Sequence, residues 1–181
     1  MSGQEPLLRP AKGGFIWGSL LVAFVLALIP AGRVLWLPDV LAMTLAFWGM
    51  HAPRRVGLGA AFAFGLALDV HQATLLGQHA LAYAVLLYGA IMLHRRVLWF
   101  APAAQAPQLL PLFVLVHFIP IALRLLGGAA FPGWPLLLAP FLEAALWPLL
   151  SAILLAPQRL APSNEAPRKR GSGRKLQTKT W

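Results

Sequence analysis

The chain has 181 residues, of which 59% are hydrophobic and 11% charged, with a net charge of +10 and no cysteine. A soluble domain of this size carries about 25% charged residues, so the deficit points to a polytopic membrane protein. The missing cysteines exclude disulfides and thiolate metal sites.

A membrane span needs about 20 mostly apolar residues. The runs are apolar throughout and do not alternate, which predicts helices instead of barrel strands. After a short segment, 1–14, the expected spans are 15–32, 34–51, 56–71, 75–93, 109–126 and 134–156. A polar, basic tail follows at 157–181 (PQRLAPSNEAPRKRGSGRKLQTKTW). Basic residues collect on the cytoplasmic side of membrane proteins. With six spans and both termini cytoplasmic, 13 of the 15 Lys and Arg residues fall inside, leaving Arg33 and Arg124 outside. An odd number of spans breaks this pattern. A signal peptide in place of the first span is disfavoured, because its apolar run is long and no small-x-small cleavage site precedes Arg33.

Topology sets the depths of the polar groups. The second span runs inward from Asp39 and the third outward to Asp69. The fourth begins outside at Gln78 and His79. An outer polar rim containing Asp39 and Asp69 is expected, closing ion pairs within the bundle or facing a ligand or partner. Glu143 lies deeper, about 20 Å from the cytoplasmic end of the sixth span at 1.5 Å per residue. Arg124 is its expected partner in a structural ion pair, with His117 as the alternative. Along the third span Gly57, Ala61, Gly65 and Asp69 recur every four residues. Small residues at that spacing let helices approach closely, and Gly77, Ala80 and Ala84 offer a facing surface. That stripe serves internal packing or a partner's span. Pro120, Pro140 and Pro148 favour kinks.

No Ser–His–acid set, phosphate loop or dinucleotide fingerprint is present. The five histidines (51, 71, 79, 94 and 117) lack His-x-x-x-His spacing, and no carboxylate cluster supports a metal. Neither catalysis nor a cofactor is expected. The tail has no aromatic residue within its basic cluster, which argues against single-stranded nucleic acid. Contact with anionic membrane lipid suits it better, with a cytoplasmic protein partner as the alternative.

The segments WLPDVL (36–41), FWGMHAPRRVGLGAAF (47–62), FAFGLALDV (62–70) and LLGQHALAY (75–83) appear in order. The pair Arg95–Arg96 and then Gln105 follow. Together they resemble the bacterial rod-shape-determining MreD family. Trp48, Pro53, Gly57, Gly65, Leu66, Asp69, Gly77, Ala80 and Leu81 fit its pattern, whereas the fifth and sixth spans match in hydropathy alone. The resemblance implies a scaffold in the bacterial inner membrane that binds an MreC-like bitopic protein. It also implies direct or indirect links between MreB filaments and RodA with its penicillin-binding transpeptidase. The implied fold is similar to the substrate-binding subunits of energy-coupling-factor transporters. A small-molecule or vitamin-binding transport subunit is therefore the competing expectation, and a lipid-directed membrane enzyme a weaker one.

Overall fold

The computed structural model describes residues 12–29, 37–131 and 133–159. Among these residues all regular structure is helical: α1 (Gly13–Leu28), α2 (Val40–His51), α3 (Leu58–His71), α4 (Gln78–Val97), α5 (Pro102–Leu126) and α6 (Ala139–Arg159). A short 3₁₀ segment, Trp134–Leu138, leads into α6. Arg33 and most of the basic tail lie outside the described residues.

The apolar pattern of each helix explains its place. Helix α2 is apolar on every side, and Leu41 through Met50 are all buried. A helix with no polar face belongs in the interior. It packs on α1, α4 and α6, while α4 packs on α3, α2 and α5, and α5 on α6. The aromatic core spans three of these helices. Trp147 of α6 stacks obliquely near Phe47 of α2 and Phe113 of α5, with centroids 6.3 and 6.0 Å apart. Each buried indole N–H has a partner. Trp48 donates to Ser19 Oγ at 2.8 Å, and Trp147 donates to Gln105 Oε1 at 3.0 Å.

Helix lengths depart from the expected spans for identifiable reasons. Asp39 caps α2 by accepting from the Ala42 N–H at 2.9 Å, so the helix starts at Val40 and not at 34. Pro102 opens α5 seven residues ahead of the expected 109, since its fixed φ suits a first turn. Helices α1, α2 and α3 have 16, 12 and 14 residues. At 1.5 Å per residue they are about 24, 18 and 21 Å long, short of the roughly 30 Å hydrocarbon core. Three segments are long and apolar enough to cross a membrane: Gln78–Val97, Pro102–Leu126 and Trp134–Pro157.

Short turns join α2 to α3, α3 to α4 and α4 to α5. The C-terminal ends of α1, α3 and α5 gather with the N-terminal ends of α2 and α4 and the segment before α6 around one cavity. This end of the bundle carries Asp39, Asp69, Gln78, His79 and Arg124. The opposite end carries Arg54, Arg55, Arg95 and Arg96.

Candidate functional site

The turn between α3 and α4 is organised by one residue. The backbone carbonyl of Asp69 accepts from Thr74 N–H at 3.1 Å, and that of Val70 accepts from Ala73 N–H at 3.3 Å. This is the reciprocal pair of bonds that ends a helix in a Schellman motif. Its left-handed position is held by Ala73, at φ 49°, where glycine is usual. The Asp69 side chain turns to the next helix. Its Oδ2 accepts from Gly77 N–H at 2.9 Å and from Ala80 N–H at 3.3 Å. Its Oδ1 accepts from His79 N–H at 3.0 Å and lies 2.7 Å from His79 Nδ1. Gly77 has no side chain to cap α4, and at φ 95° it turns the chain so that these donors converge. The carboxylate sits at the electrically favourable end of α4, which offsets its unfavourable place at the end of α3.

Gly65 sets the approach of the two helices. A Cβ there would lie 2.5 Å from the backbone N and Cα of Ala80. Gly57, at the other end of the small-residue stripe, is exposed, with nothing within 4 Å of a Cβ position. Ala61 is fully buried. The structure thus brings together Gly65, Asp69, Gly77, Gln78 and His79 and leaves Gly57 apart.

A second network joins α2, α4, α5 and α6. Asp39 Oδ2 accepts from Tyr83 Oη–H at 2.6 Å. Asp39 N–H donates to Glu143 Oε1 at 2.9 Å, and His117 Nε2 lies 2.7 Å from the same oxygen. Among the described residues no donor reaches the buried Glu143 Oε2. The expected Glu143–Arg124 pair is therefore corrected: His117 holds Glu143, and Arg124 Nε donates to Gln78 Oε1 at 3.1 Å. The cause is the early start of α5. Arg124 stands about 33 Å along α5 and His117 about 22 Å, while Glu143 stands about 24 Å from the end of α6. Tyr83 was missed in the sequence. Its spacing of four residues from His79, on the same helix face, was the available signal.

The expected rim of Asp39 and Asp69 divides in two. Asp69 is wholly buried in the α3–α4 turn. Asp39 instead lines a cavity of about 540 Å³ with His79, Tyr83, His117 and Arg124. The ends of α1, α2 and α3, the start of α4, the C-terminal half of α5 and Leu136 form its walls. Pro120 faces this space, as does Val116. A proline has no N–H, so the helical bond that the Val116 carbonyl would accept cannot form. Among the described residues no group of three or more His, Asp or Glu side chains is arranged for a metal ion.

The family described as rod shape-determining protein MreD matches residues 12–156, which includes α5 and most of α6. A rod shape-determining protein MreD of Haemophilus influenzae is 27% identical over 142 residues, covering 73% of this chain and 85% of that protein. No solved structure matches. The chain belongs to the MreD family of rod shape-determining proteins.

Proposed function

We propose that the chain is a non-catalytic inner-membrane scaffold of bacterial cell elongation. In this reading it binds an MreC-like bitopic protein and links MreB filaments to RodA and its transpeptidase. Six helices cross the membrane with both termini cytoplasmic, and the Asp39–Asp69 end faces outward. The observation that carries the reading is how the buried and half-buried polar groups are used. Asp39, Asp69, His117 and Glu143 bond helix to helix, which suits a rigid docking body. The segregation of Arg54, Arg55, Arg95 and Arg96 at one end supports the orientation.

The α3–α4 hairpin is the proposed docking element, with Asp69 fixing its shape. The test is recovery of partners from native membranes in mild detergent, followed by mass spectrometry. Recovery of a single-span coiled-coil protein with wall synthases supports the scaffold, and Asp69→Leu should reduce it at equal protein levels. Recovery of soluble ATPases with a coupling subunit would instead establish a transport subunit.

A further inference from the structure

The cavity near Asp39 holds two opposite charges that do not neutralise each other. Arg124 donates through Nε to Gln78, and both ion pairs found among the described residues involve histidine, not Arg124. Among the described residues nothing further bonds its terminal guanidinium nitrogens. Gln78 is fully buried and so fixes the guanidinium plane at the cavity wall. Such a fork suits a phosphate or carboxylate.

Asp39 faces the same space. Its two oxygens accept one bond each, from Ala42 N–H and Tyr83 Oη–H. A carboxylate offers about four acceptor sites, so acceptor capacity remains. His79 and His117 are held by Asp69 and Glu143 at 2.7 Å each and add no separate charged centre. The cavity therefore offers an anion site and a cation site together. Its volume, about 540 Å³, is that of a small-molecule pocket, commonly about 300–1,000 Å³. Leu26, Ile29 and Leu37 on its border are also partly exposed and apolar.

We propose that this cavity holds the headgroup of a zwitterionic phospholipid, its phosphate against Arg124 and its ammonium against Asp39. The apolar border takes the first carbons of the acyl chains. A solely anionic lipid satisfies Arg124 and meets the Asp39 carboxylate unfavourably. This site shares His79 with the α3–α4 hairpin, but it is read from Arg124 on α5 and Asp39 at the start of α2, and it stands whether or not the scaffold reading holds.

The test uses the full chain, purified in mild detergent, delipidated and titrated with phosphatidylethanolamine or phosphatidylglycerol under native mass spectrometry. Phosphatidylethanolamine should be retained in preference. Arg124→Gln should weaken both lipids by about tenfold or more, the loss of a charged hydrogen bond. Asp39→Asn keeps an acceptor oxygen for the α2 cap and should abolish the preference between the two lipids by weakening phosphatidylethanolamine, while the Arg124 contact to phosphate still retains both. Competition by soluble phosphoethanolamine would identify a free zwitterion as sufficient, and its absence assigns the site to lipid. Equal retention of the two lipids by the unsubstituted protein, or retention indifferent to both substitutions, overturns the proposal. So does a photo-crosslinker at Leu136 that captures a polypeptide instead of lipid.

Discussion

Glu143 accepts two bonds on one oxygen and, among the described residues, none on the other, so its contribution depends on His117. Removing one member of a buried pair commonly costs about 3–5 kcal/mol, because the other charge is left uncompensated. His117→Leu should therefore destabilise the bundle by that order. Adding Glu143→Gln should recover part of the loss, since the amide oxygen still accepts from Asp39 N–H and the charge is gone. Thermal unfolding in detergent measures both variants. A double variant less stable than His117→Leu alone would show that the charge is not the cause. Asp69 differs in kind: each oxygen has at least two donors close by. It is the better-satisfied of the two acids, although both are fully buried.

Close helix contacts in the bundle are not equivalent. At Gly65 an added methyl group meets the Ala80 backbone at 2.5 Å, whereas at Gly89 it meets the Leu112 Cδ2 at 2.4 Å. A leucine tip can change rotamer, but a helix backbone moves only as a unit. Gly89→Ala should cost little, and Gly65→Ala about 1–3 kcal/mol or more by forcing α3 and α4 apart. Comparing the two melting temperatures tests this, and equal shifts would count against a backbone constraint at Gly65. The stripe containing Gly65 was legible because small residues at four-residue spacing occupy one helix face. The destination of the Asp69 side chain was not. A cap supplied by the preceding helix is a tertiary contact, and its only local trace is that Gly77 cannot cap α4 itself. Helix starts were misjudged for a similar reason. Hydropathy runs through Pro38–Asp39 and stops short of Pro102, while capping and proline geometry set the boundaries. Glu143 and Arg124 were paired on straight-rod heights, which failed once α5 proved longer than its apolar run.

At the scale of the molecule, the proposed orientation places the α4–α5 turn inside and the α5–α6 turn outside. The absence of native cysteine makes a single introduced thiol the only label. Trp99 and Ala129 are exposed positions in those two turns. Ala129→Cys should react with a membrane-impermeant thiol reagent in cells with a permeabilised outer membrane. Trp99→Cys should react only after the inner membrane is opened. The reverse pattern, or reaction of both in unopened cells, would refute the orientation.

The two polar networks also imply an order of assembly during synthesis. The acid that caps α4 precedes it in the chain, so the donors of α4 meet a waiting acceptor as they leave the ribosome. The α3–α4 hairpin can close before α5 exists. Asp39 has the opposite fate: its N–H waits for Glu143, which is made 104 residues later. The start of α2 is thus fastened in two stages: its carboxylate meets Tyr83, made 44 residues later, and its N–H bond is completed only when α6 arrives.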